Sequence, residues 1–94
     1  MNGYAISFDM DVKLLEQFYG IPYNPAYDEI RTVLRRNDFY WIQGSTYLTT
    51  GNLVNLTAAM HDLKSIEWFR KSVRDIRGFK VEEWSDFTDF IKKW

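Results

Sequence analysis

The 94-residue chain has no cysteine and a single histidine, His61. The first absence excludes disulfides, thiolate nucleophiles and cysteine-based zinc sites, and it fits a reducing compartment. The second excludes, within one chain, a pair of histidines doing acid–base work on a phosphodiester, and any His-cluster metal site. His61 stands one step from the expected core position Met60 and reads as a flanking or exposed helix residue. No apolar run approaches the roughly 18 residues of a membrane span. Met1-Asn2-Gly3-Tyr4 offers neither a basic n-region nor an apolar h-region, so no signal peptide is expected and the expected location is the cytoplasm. Charge of one sign is also missing: twelve basic residues face thirteen acidic ones, net −1. That excludes nucleic-acid binding through the overall field and leaves a local patch open.

What the chain has is aromatic side chains, seven Phe, six Tyr and four Trp, 18% of its residues. Large rings help a small domain reach a stable core. There are more of them than one such core needs, which points to a second buried surface such as a dimer interface.

Tyr4, Ile6 and Phe8 alternate with Ala5 and Ser7 as in a strand, which Asp9 closes. Leu14, Leu15 and Phe18 follow at helical spacing, with Asp11 as N-cap and Gly20 as the stop. Asn24-Pro25 reads as N-cap and first residue of a second helix, whose inner face is Tyr23, Tyr27, Ile30 and Leu34. Phe39 to Ile42 reads as a buried strand. Gln43-Gly44-Ser45 turns it into a hairpin with Tyr47 to Thr50. Gly51-Asn52 opens a helix with Leu53, Leu56, Met60 and Leu63 inward, and Ser65 caps a short turn carrying Trp68 and Phe69. Val73 to Val81 is the last strand, with a bulge expected at Gly78. Ser85 caps a tail helix in which Phe87, Phe90, Ile91 and Trp94 share a face, expected against a dimer partner or the open sheet. The order is β-α-β-β-α-β plus a C-terminal helix, one α+β, ferredoxin-like domain over residues 1–94 with a four-stranded antiparallel sheet.

Three groups of residues carry chemistry. Asp9 is a carboxylate at the rim of the sheet; in a homodimer two copies would hold a divalent cation or share a proton, the alternative being that Asp9 or Asp11 only caps a helix. The stretch Arg70 to Lys80 holds five basic residues and one acidic, +4 in eleven positions. There Arg74 or Arg77 suits a nucleic-acid backbone, with Asp75 orienting them; the alternative is a solvated edge or an interfacial ion pair. In the hairpin, Gly44 lets backbone approach a ligand, Ser45 offers a hydroxyl and Tyr47 a stacking ring.

Tyr4-Ala5-Ile6-Ser7-Phe8-Asp9, Pro22-Tyr23-Asn24-Pro25-Ala26-Tyr27 and Gln43-Gly44-Ser45-Thr46-Tyr47 stand in this order along the chain. With them go Ser72-Val73-Arg74-Asp75-Ile76-Arg77, Phe79-Lys80-Val81-Glu82 and Ser85-Asp86-Phe87-Thr88-Asp89-Phe90. Together they resemble the virulence-associated protein D (VapD) family over nearly the whole chain, departing at Ser7 and Gly78, where alanine is expected. The resemblance implies a homodimer related to small CRISPR-associated nucleases. It also implies endoribonuclease activity on single-stranded RNA, of toxin–antitoxin type, with the acid ending the first strand, Asp9 here, as the functional carboxylate. The expectation is therefore Asp9 as catalytic residue and as ligand if Mg²⁺ takes part. Ser45, Tyr47, Arg74 and Arg77 are expected on the RNA, with Asp75 in support and an antitoxin protein as partner. The competing expectation is a non-catalytic dimeric scaffold binding RNA or an antitoxin.

Overall fold

The alternation of Tyr4, Ile6 and Phe8 becomes strand β1 (Gly3–Met10), which runs one residue past Asp9. The computed structural model describes residues 3–93. After β1 come α1 (Val12–Phe18), α2 (Asn24–Arg36), β2 (Tyr40–Gln43), β3 (Thr46–Thr49), α3 (Leu53–Lys64), α4 (Glu67–Ser72), β4 (Val73–Val81) and α5 (Thr88–Lys92). The sheet order is β2-β3-β1-β4 and every pairing is antiparallel. This is the α+β element order and four-stranded antiparallel sheet expected from the sequence, with short helices α1 and α4 flanking the two long ones. No helix among the described residues is long and apolar enough to cross a membrane.

Ile6, Phe8 and Met10 on one face of β1 meet Leu15, Ile30, Leu34, Phe39 and Leu63 in the core beneath the helices. Asp11 caps α1 as expected, accepting from Leu14 N at 3.0 Å. Asn52 opens α3 with a capping box, accepting from Val54 N at 3.0 Å while Asn55 Oδ1 accepts from Asn52 N at 3.1 Å.

Other boundaries differ from expectation. Asn24 and Pro25 are already helical and Tyr23 stands at the cap of α2 without a side-chain bond. The Ser65 hydroxyl donates back to Asp62 O at 2.7 Å, so Ile66 heads α4 instead. At the tail, Asp86 rather than Ser85 receives the Thr88 amide, at 2.8 Å. Within α1, Leu15 is buried while Leu14 and Phe18 are partly exposed, and the Lys71 ammonium lies 5.1 Å from the Phe18 ring centre. Leu53, expected inward, is exposed, and Ala59 packs in the core. Phe39 is buried as expected, but Tyr40 and Trp41 are half in water because β2 is an edge of the sheet.

The bulge is not at Gly78. That residue pairs regularly with Ile6, and a Cβ there would sit 3.0 Å from Leu56 Cδ1 and 3.1 Å from Met60 Cε. Its missing side chain lets α3 lie close to the strand. The register shifts farther up, where Asp9 pairs with Asp75 and Met10 with Val73, leaving Arg74 as the extra residue.

The second face of the sheet carries Ala5, Ser7 and Asp9 of β1 beside Asp75, Arg77 and Phe79 of β4. Beyond Val81, which pairs with Gly3, the chain reaches Ile42 and Gln43 on the opposite edge strand, where Trp84, Phe87 and Ile91 line a shallow cleft with them. This path crosses the second face, on which Ala5 and Leu48 are buried although they lie outside the helix-side core. Phe87, Phe90 and Ile91 stay 63%, 74% and 76% exposed; Trp94, expected beside them, lies outside the described residues.

Candidate active site

Asp9 sits near the C-terminal end of β1 with its side chain 63% exposed. Among the described residues it caps no helix; Asp11 takes that role for α1. Across the ladder, its direct partner is Asp75. Two carboxylates opposite one another on an antiparallel pair repel, so the arrangement costs stability unless something offsets it. Two guanidiniums do. Arg74 Nη1 donates to Asp9 Oδ2 at 3.2 Å, with its Nη2 4.0 Å from Asp11 Oδ2. Arg77 Nε donates to both oxygens of Asp75, at 3.0 and 3.2 Å.

The bulge makes this possible. As the extra residue in β4, Arg74 escapes strict alternation and its side chain reaches the face that carries Asp9. Past it, Asp75 and Arg77 alternate normally onto that same face. Arg74, Asp75 and Arg77, which plain alternation from Val73 would divide between two faces, therefore lie together.

Ser7 adjoins this group, opposite Arg77 on β4 and Thr46 on β3, with Ser7 Oγ 3.4 Å from Thr46 Oγ1. The hairpin closes beside it. Gly44, at φ 48°, forms the turn, and Ser45 O accepts from Phe8 N at 3.1 Å. Ser45 is thus tied to the residue preceding Asp9.

Tyr47 is corrected by its placement. It pairs with Ile6 and faces the helices, 3% exposed, with its ring stacked on Phe8 at a centroid distance of 6.2 Å. Its hydroxyl receives Arg31 Nε at 3.5 Å. A ring in that position offers no face to a base. One side chain near the site lacked a sequence signal beyond helical spacing: Tyr27, half-buried on α2. Burial pushes its phenol above the usual range, with smaller contributions from Tyr23 and from the charge of Asp9.

One chain brings to this end of the sheet the carboxylates of Asp9, Asp11 and Asp75, two arginines and several hydroxyls, in the open and without histidine. Among the described residues, no group of three or more His, Cys, Asp or Glu is placed to hold a metal ion. Mg²⁺ commonly takes only one or two carboxylates, completing its octahedron with waters and substrate phosphates, and Asp9 with Asp75 supplies that number.

The family model for CRISPR associated protein Cas2 matches residues 2–89. The chain is 51% identical over 90 residues to Endoribonuclease VapD of Dichelobacter nodosus, covering 95% of this chain and 97% of that protein. It is 48% identical over 92 residues to Endoribonuclease VapD of Helicobacter pylori, covering 95% and 98%. To Endoribonuclease VapD of Haemophilus influenzae it is 43% identical over 90 residues, covering 95% and 98%. With a family match spanning residues 2–89 and relatives alike along nearly their whole length, this chain belongs to the CRISPR associated protein Cas2 family, alongside the VapD endoribonucleases.

Proposed function

We propose that this protein is an endoribonuclease cutting single-stranded RNA at the Asp9 end of its sheet, working as a homodimer of toxin type in the cytoplasm. The observation that carries the site is the exposed Asp9 carboxylate opposite Asp75, each held by one arginine. In this reading Asp9 takes the proton of the oxygen that attacks the phosphorus, and the P–O bond on the far side breaks, its leaving oxygen taking a proton from solvent water at this open site. Arg74 and Arg77 face the charge that builds on the phosphoryl oxygens. Among the described residues Arg77 engages only Asp75, through Nε, which leaves its Nη groups to meet a phosphate in this reading. Ser45, at the hairpin beside β1, positions the nucleotide.

Mg²⁺, if used, would be held by Asp9 and Asp75 and would supply charge to the phosphoryl oxygens. Excess EDTA distinguishes the cases: an unchanged rate leaves Asp9 as a proton acceptor without metal. The homodimer is supported by the exposed Phe87, Phe90 and Ile91 of the tail, apolar surface that a second copy would cover. Light scattering on Phe90→Asp tests it, a mass of two chains falling to one being expected. An antitoxin protein as partner follows from the resemblance, and rescue of growth on co-expression with the neighbouring gene product tests it. The cleavage assay compares defined single-stranded RNA with its duplex, for wild type and Asp9→Asn.

A further inference from the structure

We infer a second RNA contact, on the β2 edge: Tyr40 and Trp41, braced by Arg35 and Arg31 of α2, form a stacking platform for the bases of the strand that enters the Asp9 site. This rests on the endoribonuclease reading and adds to it the place where substrate is gripped. Tyr40 and Trp41 are 52% and 50% exposed, adjacent on an edge strand. The Arg31 guanidinium lies 5.0 Å from the Trp41 ring centre, and that of Arg35 5.4 Å from Tyr40. Arg31 and Arg35 are one helical turn apart, and among the described residues neither has a carboxylate within ion-pair distance.

Half-exposed rings beside guanidiniums that have no ion-pair partner among the described residues match what single-stranded RNA presents, π-faces and phosphates in alternation. A protein strand added to the same edge would ask for backbone pairing and no cation, so the charges favour RNA. The platform also joins the site. Trp41 Nε1 donates to Gly44 O at 2.7 Å, Gly44 precedes Ser45, and Ser45 O receives Phe8 N next to Asp9.

The test is fluorescence anisotropy of a labelled short single-stranded RNA on the full chain carrying Asp9→Asn, with and without Tyr40→Ala plus Trp41→Ala. Circular dichroism and thermal melting check the fold. Because stacking on one ring strengthens binding by several-fold to about a hundredfold, Kd is expected to rise at least about tenfold in the double alanine variant. Tyr40→Phe plus Trp41→Phe, which keeps both rings, is expected to restore most of the affinity. In the wild-type background the alanine pair raises KM more than it lowers kcat. An unchanged Kd in a folded double alanine variant overturns the proposal. An unchanged Kd with altered mass by light scattering also overturns it, and gives the edge to a protein contact. Failure of the Asp9 reading shows separately, as RNA cleavage by Asp9→Asn itself.

Discussion

Asp75→Asn exchanges a charge for an amide of the same shape, directly opposite Asp9. Facing side chains on an antiparallel pair have Cβ atoms about 4.5–5.5 Å apart, and like charges there cost roughly 0.2–1 kcal/mol. The substitution removes that cost. It also weakens the Arg77 pair, which is exposed on both sides and worth about 0.2–1 kcal/mol at most, while the amide oxygen still accepts from Nε. Asp9 keeps Arg74 throughout. The variant is therefore expected to equal wild type or exceed it by up to about 0.5 kcal/mol at low salt, a rise in Tm of up to roughly 2–4 °C at this size. Urea and thermal unfolding at two ionic strengths measure it. At about 1 M salt, where the Debye length shrinks to about 3 Å, the difference should largely vanish. A destabilisation beyond about 1 kcal/mol, or a gain that ignores salt, would refute the view of Asp9 and Asp75 as an electrostatically costly pair kept for chemistry.

Three further outcomes follow. Arg74→Gln is expected to slow RNA cleavage about 10²–10³-fold through lost stabilisation of the phosphoryl charge, while unfolding shifts by less than about 1 kcal/mol, since its ion pair is exposed. Asn52→Ala removes the capping box of α3 and is expected to cost about 0.5–2 kcal/mol in urea unfolding. The Lys71 ammonium holds Glu67 below its usual range, first by a hydrogen bond and then by charge. A carboxylate lowered on folding stabilises above its unfolded pKa and loses that contribution as pH falls through the folded one. Melting temperatures of wild type and Glu67→Gln should differ most near neutral pH and converge in acid.

The order of elements was legible because hydrophobic period and turn residues are local signals. Val73–Val81 could be bounded from its β-branched and aromatic residues, and Asp11 as a cap from its position before Leu14 and Leu15. What escaped depends on neighbours distant in sequence. Tyr40 and Trp41 read as buried because aromatic residues suit central and edge strands alike, and only the pairing order puts β2 outermost. Glycine drew the expected bulge to position 78, where the actual demand is the approach of Leu56 and Met60. The bulge at Arg74 is set by how β4 leaves α4 and joins β1, with Asp11 N bonded to Ser72 O at 2.8 Å. That single register shift also decides whether Arg74 meets Asp9. Tyr47 failed by parity: in the hairpin string its ring looks available, but its pairing with Ile6 turns it into the core. Asp9 was visible from sequence as a rim acid. Its opposing partner Asp75 was not, because cross-strand register is absent from a linear reading.

The most direct measurement is the initial rate of cleavage of one defined single-stranded RNA by wild type and by Asp9→Asn, at equal folded fraction and equal oligomeric mass. With the Asp9 carboxylate acting on the attacking oxygen, the variant should be slower by about 10²–10⁴-fold. Equal rates would contradict it and leave the Asp9–Asp75 pair without a catalytic role.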